Sequence, residues 1–331
     1  MKQVGDDQWS GHHDITYAAV ARLYQHLAAP DGTIHGLRRE QYAEALDRAQ
    51  AHQDRPVGAG MIRNFNGTGL SVPYAGPGPT MHSAYANPDV QREHFMADPY
   101  RKGFDNLHSN IEYVHEQLDA AHRSIDEFTH LGAAAHALQD SYSGAHAWRE
   151  DSVYDGDVNA PVQSLHVFTP AHAIGADDGR NTHSDEFDQP PVDSGSTRAA
   201  IEATYRMLRS YELNRDAPPD VADRARRADL GPMLRPSVAG VGVNLVPDRA
   251  WTAERNRRLA LEHGVLRAGA EPDEVARLAG VLTPNPAPGP AADRAADRAA
   301  GPAADTPATA VQRSSPGVPR RITREGVGRD G

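Results

Sequence analysis

The chain has 331 residues, with 34 Lys and Arg against 45 Asp and Glu and a formal net charge of -11, which argues against broad electrostatic capture of nucleic acid or of an anionic lipid surface. It contains no cysteine, so disulfides and thiolate metal sites are excluded, and any zinc must be held by His, Asp and Glu. No run approaches the roughly 20 apolar residues of a membrane span, and the opening MKQVGDDQWSGHHD has neither the basic nor the apolar region of a secretory signal. The expectation is a protein that is cytoplasmic or exported by a route without a conventional signal peptide.

In chain order, DITYAAVARLYQHLA over 14–28 repeats apolar residues (Ile15, Ala18, Ala19, Leu23) at helical spacing, with Asp14 as its cap. His12 therefore stands at a helix mouth. A second helix is predicted over 37–50 and stops ahead of Pro56, which places Asp54 on a loop. From Val57 to Pro79, GAG, NGTG and GPGP mark a long irregular segment. His94-Phe95 precedes a helix over 103–123, which almost no linker joins to another over 125–142, giving an antiparallel pair or one kinked helix.

Residues 151–195 read as loop, and Pro190 and Pro191 close the cluster NTHSDEFDQPP, leaving His183, Glu186 and Asp188 on a loop or a single turn. The helix STRAAIEATYRMLRSYEL follows, capped by Ser196 or Thr197. Residues 216–283 read as shorter helices of unassigned role. Residues 284–331 are an Ala/Pro-rich tail with too little apolar mass to pack, ending in the basic tip PRRITREGVGR; such a tail is solvated or docks an unknown partner. No strand alternation stands out, so the predicted fold class is all-α, a helical bundle with a long low-complexity C-terminal tail.

The chemistry concentrates in Phe128 to Glu150, FTHLGAAAHALQDSYSGAHAWRE. His136 and Asp140 lie one turn apart on one helix face and can reach one ion together. Ala133, Ala134 and Ala135 let other helices approach closely, and Gly144 lets the chain bend before His146. Imidazoles with a carboxylate are zinc ligands, and the carboxylate can bridge two ions. Seventeen histidines point the same way, because imidazole is the commonest metal ligand.

Collected in order, the candidate ligands are His12, Asp54, His94, His136, Asp140, His146 and His183, with Glu186 or Asp188 last. They occupy helix mouths, loops and a helix face, the places from which side chains converge on one end of a bundle core. His13 competes with His12, His82 with His94, and His166 or His172 with His183. His108, His115, His122 and His130 follow helical spacing and read as a polar stripe.

This ordered set resembles the zinc-dependent phospholipase C family, which shares its fold with the fungal single-strand nucleases. The resemblance is carried by His12-His13-Asp14-Ile15 at the first helix, Asp54 after the second, His94-Phe95 ahead of Asp98-Pro99, and the ungapped His136, Asp140, His146 preceded by Leu131-Gly132. His183 with a carboxylate soon after it supplies the last pair. The match spans residues about 9 to 215 and implies that 1–215 form a phospholipase C/P1 nuclease-like helical domain. Three departures stand out: Trp9 is internal where the bacterial enzymes use an N-terminal tryptophan, Phe187 occupies the position of the last glutamate, and 216–331 have no counterpart.

The resemblance implies two or three Zn2+ ions held by these residues, with Asp140 bridging and Asp54 both a ligand and the acceptor of a proton from water. A metal-bridging hydroxide would then attack a phosphodiester, with phospholipid the leading substrate because the secreted nucleases of this fold usually carry disulfides. Two alternatives stand beside it. One is a single-strand nuclease, for which Trp148, Tyr142 and Phe95 would supply stacking platforms; the other is a non-catalytic metal-binding interaction or cargo module.

Overall fold

The structure, a computed structural model, describes residues 11–53, 88–167, 185–188, 190–244, 249–271, 273–274 and 277. The chain divides into two compact units, Met1–Pro284 and Asn285–Gly331, and every described residue lies in the first. The described part is mostly helical. Its helices are α1 (Gly11–Leu27), α2 (Arg39–Gln53), α3 (Pro88–Glu93), α4 (Gly103–Arg123), α5 (Glu127–Asp140), α6 (Asp185–Asp188), α7 (Gly195–Leu213), α8 (Pro219–Leu230) and α9 (Arg249–Glu262). None is long and apolar enough to cross a membrane.

Helix α5 is the hub. Every residue from Leu131 to Asp140 is buried, the condition of a helix enclosed on all sides, and α2, α4 and α7 pack around it while α1 lies across α2 and α7. The sequence LGAAAHALQD makes this possible because its small residues admit close neighbours. At Gly132 an added Cβ would lie 2.3 Å from the Cβ of Ala49 on α2, well inside van der Waals contact. Leu131 and Leu138 fill the remaining volume with Leu46, Leu107, Val114, Leu118 and Leu208, all essentially inaccessible, each stabilising the fold by roughly 1.5–3 kcal/mol.

Two small sheets correct the expectation that no strand would appear. Thr33–Ile34 (β1) and Leu37–Arg38 (β2) form a hairpin ahead of α2. Ala147–Arg149 (β3) pairs antiparallel with Val162–His166 (β4), with Ala147 opposite Leu165, and β4 pairs parallel with Gly242–Asn244 (β5). Strands of two to five residues are too short for a period of two to emerge from a sequence. Their role here is local: β3 takes the chain out of the turn after α5, and β4 holds it there.

Other boundaries shift for identifiable reasons. Helix α1 begins at Gly11, with Asp14 inside its first turn, where a carboxylate complements the helix dipole. The cap of α7 is Ser194, whose side chain accepts from the Thr197 amide, so Ser196 and Thr197 are already helical. His115 is buried between α4 and α8 and is not part of an exposed polar stripe; burial pushes its imidazole down to about 4. Residues 230–234, beyond the span of the resemblance, contribute to the same core, since Leu230, Met233 and Leu234 join its main cluster. Arg149 fastens them to the centre: its guanidinium, fully buried, donates to the carbonyls of Ser141, Ala160 and Met233 and to the Ser141 hydroxyl, all at 2.7 Å.

Candidate metal centre

Five side chains, two of them one turn apart on α5 and three from other segments, meet at the C-terminal end of α5. Asp140 closes the helix, with no exposure to solvent. Its Oδ1 lies 3.1 Å from His12 Nε2, while its Oδ2 faces His94 Nδ1 at 3.2 Å, His136 Nε2 at 3.2 Å and His146 Nδ1 at 3.5 Å. His136 Nε2 and His94 Nδ1 are 2.9 Å apart. The rings of His12 and His136 are stacked with centroids 4.2 Å apart, and His94 meets His136 edge-on at 4.8 Å. Burial alone would push the Asp140 carboxyl up, yet the imidazoles of His146, His136 and His12 hold it well below the ordinary carboxylate range.

Each imidazole is turned toward Asp140 by a different local device. His12 rides the first turn of α1, and its Nδ1 donates to Gln139 Oε1 at 2.7 Å. The Gln139 amide nitrogen donates in turn to Thr16 Oγ1 at 3.1 Å, which also accepts from Gln50. With Nδ1 so engaged, His12 Nε2 is the ring atom left to face the carboxylate. His136 follows from helical spacing. His146 is held by its Nδ1, which donates to the main-chain carbonyl of His94 at 2.8 Å.

His94 depends on a strained turn. Helix α3 ends in a Schellman motif, with the Met96 amide bonded to the Gln91 carbonyl and the Phe95 amide to that of Arg92. The left-handed position belongs to Phe95, at φ 53°, where glycine is the usual occupant. The Phe95 ring is fully buried, and that burial holds the turn that directs His94 inward.

His12, His136 and Asp140 form one group of ligand atoms within 4.8 Å of one another, and His94, Asp140 and His146 form another. These buried groups can hold a metal ion. The donor separations of 2.9–3.2 Å come close to the ~3.3–3.4 Å edge that ~2.0–2.1 Å bonds set in a tetrahedral site. His12 Nε2 and Asp140 Oδ1 are both buried and lie 3.1 Å apart. Two lone-pair atoms facing each other at 3.1 Å repel unless positive charge lies at or between them, so the donor set fits a cation.

The structure brings together five of the sequence candidates, His12, His94, His136, Asp140 and His146. Asp188, on the single turn α6, adjoins them with Oδ1 3.5 Å from His146 Nε2. Asp54 and His183 lie outside the described residues, as do Trp9, His82, His172 and the side chain of Glu186. His13 points away from the cluster, its Nδ1 3.1 Å from Asp47 Oδ2. His166, buried on β4, contacts Trp148 and Asn244, with its main-chain N–H donating to the His146 carbonyl.

Gly144 serves close approach more than bending, since an added Cβ there would lie 2.5 Å from Phe187 Cδ1. The supporting residues Gln139, Thr16 and Gln50 carry no spacing signature. The available signal for Gln139 is a polar residue inside an otherwise alanine-rich buried helix, which demands a partner. A surface recess lined by Glu202, Tyr205, Arg206, Arg209 and Asp229 shares no residue with the centre; within it Arg206 pairs with Glu202, and Asp229 accepts from the Ser210 hydroxyl.

No family model, curated protein sequence or solved structure matches the chain.

Proposed function

We propose that this protein is a zinc-dependent phosphodiester hydrolase of phospholipase C-like type. The observation that carries the proposal is the position of Asp140: it belongs to both ligand groups, with His12 and His136 in one and with His94 and His146 in the other, as expected of a carboxylate shared by two ions. Imidazoles and carboxylates without thiolate suit zinc, which takes four such ligands at tetrahedral separations. When bound, a pair of such ions lowers the pKa of water toward ~7 and polarises a phosphoryl oxygen.

The chain's own residues do the rest. Gln139 holds His12 and the His94 carbonyl holds His146, so both rings meet a cation without rearrangement. Helix α5 excludes bulk water from beneath. The His94 side chain is the most accessible of the five, 19% exposed, so substrate approaches from that side.

A phospholipid or another small diester is favoured over a single polynucleotide strand. Phe95, Tyr142 and Trp148 are buried, and the face of Tyr142 is taken by the Arg149 guanidinium at 3.8 Å, so these rings do not form an exposed stacking platform. The net charge of -11 also disfavours capture of a polyanion.

The test is metal analysis of the purified chain followed by hydrolysis of bis-p-nitrophenyl phosphate, phosphatidylcholine and single-stranded DNA. Two or more zinc ions per chain with turnover of the first two substrates supports the proposal. Metal near zero overturns it. Bound zinc without turnover of any diester assigns the chain to the non-catalytic metal-binding class.

A further inference from the structure

Residues beyond 215 lie outside the resemblance, yet one helix among them, α9, reaches the edge of the metal centre. Its Leu259 forms a small buried cluster with Phe187 of α6 and Ala145 of the turn after α5. Phe187 sits directly against Gly144, where even a Cβ would collide with its ring. The next residue is Asp188, and the nearby His146 follows Gly144 by two positions. The packing order is therefore α9, then Phe187, then the Gly144 turn, with Asp188 and His146 3.5 Å apart beside it.

Helix α9 is fixed independently of that contact. Trp251 stacks on Trp148 of β3 with centroids 6.0 Å apart. The Arg258 guanidinium lies 4.5 Å over the same ring and donates to the Arg149 carbonyl at 2.7 Å. Arg257 pairs with both oxygens of Asp151 at 2.6 and 2.9 Å. Arg255 lies 5.6 Å over the Phe187 ring, so the one-turn helix α6 is held from above by aliphatic and cationic groups of α9. A four-residue turn has too few internal hydrogen bonds to hold its own position; its place is set by what packs on it.

The geometry points to Leu259 and Trp251 as positioning residues for the second ion, seating Phe187 on Gly144 so that Asp188 stands beside His146. Helix α9 thereby completes the half of a paired site that contains His146 and Asp188. This rests on the metal-centre reading above. It predicts an asymmetry that reading does not: loosening α9 releases the ion near His146 and spares the ion near His12. An outer residue that orients a ligand typically contributes about 10- to 100-fold in metal affinity.

The experiment titrates the metal-free full chain with Zn2+, and with Co2+ read by its visible absorption, for the wild type and for Leu259→Ala, Trp251→Ala, Leu259→Met and Asp188→Ala. Thermal melts of the metal-free proteins establish that each variant is folded at the titration temperature. The expected result is a second equivalent weakened about 10- to 100-fold in Leu259→Ala, Trp251→Ala and Asp188→Ala, with an altered cobalt band for that equivalent alone. The first equivalent stays unchanged, and Leu259→Met restores the second. Two equivalents of wild-type affinity in Leu259→Ala and Trp251→Ala, equal weakening of both equivalents, or no effect of Asp188→Ala would each overturn the inference while leaving the metal centre in place. A wild-type chain that takes up no ion would overturn both.

Discussion

Asp140→Asn separates a metal centre from a buried polar cluster that merely packs. The substitution preserves volume and one carbonyl oxygen, and it removes the only carboxylate that belongs to both triads. With zinc at ~100 times its dissociation constant, each ion stabilises the native wild-type chain by about 2.7 kcal/mol, so two give about 5 kcal/mol. At roughly 2–4 °C per kcal/mol for a domain of this order of size, the melting temperature should rise by about 10–20 °C on adding zinc. Losing the shared carboxylate should weaken each ion by a factor of ~100 or more, leaving about 0.4 kcal/mol apiece and a rise of no more than about 3 °C.

A purely structural cluster predicts the reverse pattern. The wild type would show no zinc-dependent rise, and Asp140→Asn would lower stability by about 3–5 kcal/mol whether zinc is present or absent, because imidazolium groups would lose their buried counter-charge. Differential scanning calorimetry of both proteins, with zinc and after chelation, reads the two cases apart. A variant that keeps the full zinc-dependent rise would refute the assignment of Asp140 as the shared ligand.

Arg149→Met replaces a buried guanidinium that satisfies three main-chain carbonyls and one hydroxyl; the stranded acceptors should lower unfolding free energy by about 3–5 kcal/mol in urea titrations, and a loss under 1 kcal/mol would show that water replaces the side chain. His115, held down to about 4 from 6.5 mainly by burial, is neutral in the folded chain where the unfolded chain is protonated, so stability is lost as pH falls from about 6.5 to 4. His115→Gln should remove up to about 3 kcal/mol of that acid loss, and parallel acid limbs would show that His115 does not titrate there. Glu262 is pushed up to about 7 from 4.5 by burial against its bonds to Ser196 and Ser194, so its folded form holds a proton the unfolded form releases, and stability falls as pH rises from about 4.5 to 7. Glu262→Gln should therefore gain on the wild type across that window, by less than about 3 kcal/mol because the α7 N-terminus also favours the anion; a pH-independent difference would contradict this.

What was legible in the sequence was what local periodicity encodes. His136 and Asp140 share a face because four residues make one turn, and α4 runs from Gly103 to Arg123, where its pattern predicts. Asp188 and His94 were legible as candidates on a turn and ahead of a helix, but nothing in a loop's spacing fixes where its side chains point. The turn at Phe95 was not legible at all: a buried phenylalanine at positive φ is selected by tertiary packing, against its own backbone preference. The placement of α9 was equally hidden, since TAERNRRLALE describes a polar helix, and it is Trp148, Arg149, Asp151 and Phe187 on distant segments that give its arginines and Leu259 a destination.

The distribution of unfavourable terms points to the same place. The Phe95 turn holds about 1–3 kcal/mol of backbone strain, and an enclosed carboxylate at Asp140 loses hydration worth several kcal/mol. His12, His136 and His146 are nearly as enclosed, and His12 Nε2 and Asp140 Oδ1 face each other at 3.1 Å. Elsewhere α5 is made of alanine, leucine and glycine, residues that bury without conflict. A chain under selection for packing alone would place an alanine at 140. These unfavourable features cluster around Asp140, with the strained turn delivering one of the facing imidazoles, and one binding event at that point would offset most of them together.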